Sequence, residues 1–260
     1  MNNRVWVVKV GGEVALDANS VALLFNTLAA LEPDISPVVV HGGGALASSI
    51  AARLGQPAEL VAGRRVTSDL DLQTILWSVC GEVNTRLVAV ASQHGFKAVG
   101  LTGADGGMIR ATRRPPRMLD GRMIDFGHVG AVDEVNPQPI KVLLEAGFLP
   151  VIATMGVTAS AELLNINADS VAGRVASAIG ADALFLVTPS GGVRRVEADA
   201  TTTLGVCASA TFEHGVADGW IVGGMRAKLE EAFASRAAGV PNVFVCNVAD
   251  IGRAGGTRVN

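Results

Sequence analysis

Pro37-Val38-Val39-Val40-His41-Gly42-Gly43-Gly44 joins a continuous apolar run to a histidine and three glycines, and this junction decides the fold class. A run with no polar position reads as a strand covered on both faces, as strands of parallel sheets are. The glycines then turn the chain into Ala45 to Leu54, whose Ala/Leu texture predicts a helix. Ligands bind at such turns in open α/β sheets, because strand ends and helix N-termini meet there.

The same alternation extends in both directions. Val5–Val10 reads as the first strand, and Val21, Leu24, Phe25, Leu28 and Leu31 recur at helical spacing after it. Leu70 to His94 predicts a long helix or a bent pair, and Ala98–Leu101 a strand. Asn136-Pro137 opens a helix to about Ala146, with Pro137 suited to a first helical position. Leu149–Ala153, Ala183–Val187 and Val243–Cys246 are further strands; Ala168 to Ile179 and Met225 to Ala237 are further helices. The pattern is α/β, a mainly parallel sheet covered by helices. Residues 107–134 differ in texture and read as a β-hairpin excursion turning at Leu119-Asp120-Gly121-Arg122. The softest place for a lobe boundary is around residues 155–175.

Composition narrows the function. Apolar residues make up 49 % and charged residues 17 %, so the chain is neither disordered nor highly charged. A net charge of −3, with scattered Lys and Arg, argues against a nucleic-acid partner. The densest basic cluster, Arg110 to Arg117, contains two prolines and reads as an exposed hairpin or loop. Cys80, Cys207 and Cys246 fit neither a zinc site nor a disulfide framework and predict buried thiols in a reducing cytoplasm. Mean hydropathy is high, at +0.40. Yet no apolar run approaches the roughly 18 residues of a membrane helix. With a strand starting almost at once there is no room for a signal peptide, and the expectation is a soluble cytoplasmic protein without a membrane partner.

Chemistry concentrates in Leu163–Ser170, LLNINADS, read with Lys9 in VVKVGG and Lys228 in GGMRAK. Phosphoryl transfer without a covalent intermediate needs positive charge around the moving group and something to hold that charge in place. Two lysines supply the charge, and Asp169 could fix both; alternatively each lysine is solvated and Asn165, Asn167 and Asp169 merely cap a helix, with Asn167 the better cap. Gly11-Gly12 and Gly42-Gly43-Gly44 let backbone N–H groups approach phosphate oxygens. His41 reads as structural. Of the two arginines in Gly63-Arg64-Arg65-Val66-Thr67, one can clasp a carboxylate bidentately, and Arg64 reads as solvated. No dinucleotide fingerprint, P-loop or serine-hydrolase elbow occurs, and His41, His94, His128 and His214 lack metal-ligand spacing.

These motifs, with VNTRLV, KAVGLTGADGGMIRA, DFGHVGAVDEVNP, LLEAGFLPVIATMGV and the terminal GTRV, resemble the amino-acid kinase family over nearly the whole chain. GRRVT and NINAD together resemble its acetylglutamate branch. The resemblance implies a three-layer αβα sandwich, with residues 1–167 as the amino-acid-binding, dimerising lobe and 168–260 as the nucleotide lobe. It implies that Lys9 and Lys228 stabilise the transition state, that Asp169 organises them, and that Arg65, Asn165, Gly43 and Gly44 bind N-acetyl-L-glutamate. Gly11, Gly12, Thr188, Gly191, Gly192, Gly223, Gly224 and Met225 would face the nucleotide. ATP would bring Mg²⁺ on its phosphates, with no protein metal site. One departure stands out: Thr188-Pro189-Ser190-Gly191-Gly192-Val193 carries a proline where the family has an aspartate, which removes a carboxylate and a backbone donor. The chain also lacks the N-terminal extension of arginine-inhibited hexamers, so the expectation is a homodimer insensitive to arginine. Two alternatives stay open, a kinase of carrier-protein-linked aminoadipate and a non-catalytic ligand sensor. Turnover of free N-acetylglutamate separates the first, and retention of Lys9, Asp169 and Lys228 argues against the second.

Overall fold

The computed structural model describes residues 4–61, 64–119, 121–253 and 255–260, and of Arg64 only the backbone. Gly63 and Asp120, read above as loop and turn residues, lie outside the described residues.

The chain opens with β1 (Arg4–Val10), α1 (Gly12–Leu16), α2 (Ala18–Ala29), β2 (Ile35–His41) and α3 (Gly44–Arg53). A two-residue ribbon, β3 (Leu60–Val61) and β4 (Arg64–Arg65), precedes α4 (Asp69–Ile75). A π-helical stretch over Leu76–Val83 then leads into α5 (Asn84–Gln93) and β5 (Ala98–Thr102). Next come β6 (Ile109–Arg113), β7 (Arg117–Leu119), β8 (Arg122–Ile124), β9 (Gly130–Val135) and α6 (Gln138–Glu145). After β10 (Leu149–Ala153), β11 (Met155–Val157) and β12 (Leu163–Asn165) run α7 (Ala168–Ile179) and β13 (Ala183–Val187). The last elements are β14 (Val206–Cys207), α8 (Ser209–Ala217), α9 (Gly223–Ala237), β15 (Val243–Cys246) and β16 (Thr257–Val259).

Eight strands form the central sheet in the order β14-β16-β15-β13-β1-β2-β10-β5, parallel throughout except β15 against β16. Apolar alternation along β1 divides the core. Val7 points into a cluster with Val171 and Val175 of α7 and Leu229 of α9, whereas Val8 and Val10 face Leu24 and Phe25 of α2 and Leu87 of α5. Two helical layers therefore enclose one sheet, as expected. Residues 107–134 do make an antiparallel excursion, but it is more than a hairpin. Strands β12-β11-β6-β9 form a second sheet of four, and β7–β8 is a separate ribbon projecting from it.

One local reading needs correction, and other features were not foreseen. Pro137 occupies the N-cap of α6 rather than its first helical position. The segment 69–93 is one helical run, in keeping with the long helix expected there, and its middle eight residues, Leu76–Val83, are π-helical. Short β11, β12, β14 and β16 and the helix α8 escaped the periodicity argument, being too brief or too weakly patterned to show a period.

Candidate functional site

Lys9 lies next to last in β1 and, two residues after Val7, points to the same side of the sheet, toward α7. Asp169 sits in the first turn of α7, where the helix dipole favours a carboxylate. Asn167 is the N-cap, accepting from the N–H groups of Asp169 at 2.7 Å and Ser170 at 3.3 Å. Lys228, about one turn into α9, reaches the same carboxylate. Lys9 Nζ stands 2.8 Å from Asp169 Oδ1, and Lys228 Nζ donates to Oδ1 at 2.9 Å and to Oδ2 at 3.1 Å. All three side chains are buried.

Burial alone would raise the Asp169 carboxyl, but the two ammonium groups outweigh it and hold the group below its usual range. Burial, reinforced by the Lys9 ammonium, pulls Lys228 down to about 8 against the pull of Asp169. The cluster carries two cations and one anion. Its surplus positive charge is suited to phosphate, and its anion is already saturated.

A cleft of about 750 Å³ opens over this cluster and is floored by glycine turns. Gly11 is the N-cap of α1 and Gly43 that of α3, so both helices aim their first N–H groups at the cleft. The two turns touch: a Cβ on Gly12 would stand 3.3 Å from Gly43 Cα and from Gly44 N. Gly223, at φ +54°, and Gly224 bring α9 to the rim. Gly223 adopts the left-handed region that a side chain disfavours.

At the other end of the cleft, Arg65 donates to Gly44 O at 2.9 Å, to Ser48 Oγ and to Asp71 Oδ1 at 3.2 Å. Asn165 Nδ2 donates to Thr67 Oγ1 at 3.2 Å, and the Asn165 N–H to His128 O at 2.8 Å. Arg65 and Asn165 thus share one cleft with Lys9 and Asp169.

The residues expected to face the nucleotide divide. Gly11, Gly12, Gly223 and Gly224 line the cleft. Thr188 instead borders a second hollow of about 530 Å³, with Pro189, Glu13, Asp17 and Asn247. Gly191, at φ +74°, closes a turn onto Thr188 O at 3.1 Å, and Gly192 packs against Thr203 and Thr257. Met225 packs on the main core.

Sequence reasoning missed Thr154, Arg114 and Arg117, which also line the cleft. Thr154 follows the last residue of β10, and its position at a parallel strand's carboxyl end was the available signal. Arg114 and Arg117 belong to the basic cluster read as an exposed loop; the excursion folds that loop over the cleft. Among the described residues no three of His, Cys, Asp and Glu stand together as metal ligands. Among the described residues no helix is long and apolar enough to cross a membrane. The three cysteines are free; Cys207 and Cys246 are buried as expected and Cys80 is half-buried, and burial pushes the Cys80 and Cys246 thiols up to about 12, which disfavours their thiolates.

Comparison with known proteins gives a consistent picture. The amino acid kinase family matches residues 4–247. An acetylglutamate kinase of Anaeromyxobacter dehalogenans is 39 % identical over 243 residues, covering 92 % of this chain and 90 % of the relative. One from Methanococcoides burtonii is 35 % identical over 249 residues, covering 94 % and 82 %. Among solved structures, smu.665 from Streptococcus mutans UA159 superposes with a TM-score of 0.80 at 28 % identity, over 98 % of each chain. Giardia carbamate kinase shares the fold, with a TM-score of 0.70 at 13 % identity, over 100 % of this chain and 99 % of the other.

Proposed function

The chain belongs to the amino acid kinase family, and from that premise we propose that it transfers the γ-phosphoryl group of ATP to the side-chain carboxylate of N-acetyl-L-glutamate, a step of arginine biosynthesis. The observation that carries this reading is one carboxylate, Asp169, ion-paired to both Lys9 and Lys228 in a cleft that also holds Arg65 and Asn165. The names of the relatives supply the substrate.

In this reading Arg65 and Asn165 hold the α-carboxylate end of the substrate, and the γ-carboxylate points toward the lysines. That carboxylate is ionised at pH 7, so no general base is required. It attacks the γ-phosphorus in line; a new P–O bond forms as the bond to the β-phosphate oxygen breaks, giving ADP and an acyl phosphate. Lys9 and Lys228, both held by Asp169, neutralise the charge spread over the moving group, and the N–H groups at Gly11, Gly12 and Gly44 donate to its oxygens. Both oxygens of Asp169 already receive lysine N–H groups, which fits Mg²⁺ carried by the ATP phosphates, where it would offset their charge, rather than a protein cage. Residues 1–167 would bind the amino acid and 168–260 the nucleotide, in a cytoplasmic homodimer.

The test is ATP- and Mg²⁺-dependent phosphorylation of free N-acetyl-L-glutamate, trapped as the hydroxamate, with glutamate and aminoadipate as controls. Selective turnover of N-acetylglutamate is expected. No turnover with nucleotide binding retained would overturn the substrate assignment, and loss of nucleotide binding as well would turn the reading toward a sensor.

A further inference from the structure

His41 ends β2 immediately before the glycine turn, is fully buried and does not line the cleft. Its ring nitrogens are both engaged. Nδ1 lies 3.0 Å from Gly42 O, and Nε2 lies 2.9 Å from Asn84 Nδ2, which is also 2.9 Å from Val151 O. A carbonyl only accepts, so the Asn84 atom facing Val151 must be the amide nitrogen. That nitrogen donates to Nε2 too, which makes Nε2 the acceptor and places the imidazole proton on Nδ1, directed at Gly42 O. Burial pulls His41 down to about 4, so the ring stays in this neutral form at working pH.

Gly42 is therefore held at both ends, its carbonyl by His41 and its N–H by Val10 O at 3.1 Å, one residue before Gly11. The surroundings are shaped around the arrangement. A Cβ on Gly100 of β5 would stand 2.0 Å from Asn84 Oδ1, so glycine there leaves room for the amide. A Cβ on Gly43 would stand 3.1 Å from Val79 Cγ2 and 3.3 Å from Val83 Cγ2. Both valines belong to the π-helical stretch that ends just before Asn84. π-Helical turns recur at functional sites, and here the stretch connects the Gly43 contacts to the Asn84 amide.

We propose that His41 and Asn84 are positioning residues for the phosphate-facing turn, fixing the Gly42 carbonyl and with it the direction of the Gly43 and Gly44 N–H groups. The inference rests on the reading of that turn as a phosphoryl site. Small misplacements of such donors cost rate more than affinity.

The experiment compares His41→Leu, which removes the donor to Gly42 O, with His41→Asn, whose side-chain N–H can replace Nδ1–H. One readout is amide exchange at Gly42, Leu46 and Ala47, whose N–H groups bond to Val10 and Gly43. The other is kcat against KM. His41→Leu is expected to exchange faster at these amides and to lose about 10- to 100-fold in kcat with little change in KM for N-acetylglutamate. His41→Asn should recover most of both. A purely space-filling role would favour His41→Leu, nearer in volume, over His41→Asn, and that result, or the two variants alike, or unchanged exchange in both, overturns the inference. If His41→Leu does not fold, Asn84→Ala removes the donor to Nε2 and should show the same changes to a smaller degree; unaltered exchange there is equally fatal. Failure of the unsubstituted protein to phosphorylate N-acetylglutamate would count against the functional reading alone, because the exchange comparison needs no turnover.

Discussion

At the end of the cleft proposed above for phosphoryl transfer the charged groups sit on β1, α7 and α9, elements anchored in the main core, whereas at the end proposed for recognition Arg65 sits on the two-residue strand β4 and Asn165 on the three-residue β12. The difference teaches which end tolerates change. Lys9, Asp169 and Lys228 are held by one another on elements whose other side chains build the core. Arg65 and Asn165 are fixed instead by polar contacts, Arg65 with Gly44 and Ser48 of α3 and Asp71 of α4, Asn165 with Thr67. A family that keeps the reaction and changes the substrate would alter the second end.

The largest effects should follow from breaking the first end. Asp169→Asn leaves two buried ammonium groups without their counter-ion and should cost about 3–5 kcal/mol in unfolding free energy. Denaturant melts check this, and a loss under 1 kcal/mol would place water, not protein, around the lysines. Lys228→Met should lower kcat by about 10²–10³, with KM for N-acetylglutamate nearly unchanged. Near-normal kcat would remove Lys228 from the mechanism.

Arg65→Ala should do the reverse, raising KM for N-acetylglutamate about 10- to 100-fold with a smaller change in kcat, the worth of a lost charged hydrogen bond. Because Arg65 also bonds Gly44 O, an equal fall in kcat would show that the two ends are coupled through the turn. The pH profile sharpens the same contrast. Lys228, at about 8 in the free protein, helps only when protonated, so kcat/KM for ATP should fall as pH rises through that value. Saturating ATP should move the kcat limb to higher pH, since phosphate charge favours the ammonium. A profile flat through this range would assign the cationic role elsewhere. Smallest of all, Met118→Ser and Met123→Ser on the exposed β7–β8 ribbon should change stability by no more than about 0.5 kcal/mol; a larger loss would mean the ribbon is packed in solution.

The middle of the central sheet was legible because β1, β2, β10 and β13 are apolar and largely buried, with glycine after the first two, as in VVVHGGG and VVKVGG. The Lys9–Asp169–Lys228 cluster was legible only as a proposal, since a fold must bring together residues 9, 169 and 228. Folding does so by pairing β1 with β13 and laying α9 on α7. What stayed hidden rests on contact rather than period. Arg114 and Arg117 looked like a solvated basic run until the excursion laid them along the cleft. His41 was read as structural, which its bond to Gly42 O supports, but nothing in the sequence tied it to Asn84, 43 positions away.

The central claim is attack by a carboxylate oxygen on phosphorus, and an oxygen label tests it most directly. N-acetyl-L-glutamate labelled with ¹⁸O in its γ-carboxylate is incubated with ATP, Mg²⁺ and the protein, and the product is cleaved at its carbonyl carbon with hydroxylamine. The account predicts ¹⁸O in the released phosphate, because the bridging oxygen comes from the substrate. Phosphate free of label, formed at the same rate as ADP, would mean that water and not the carboxylate is the nucleophile.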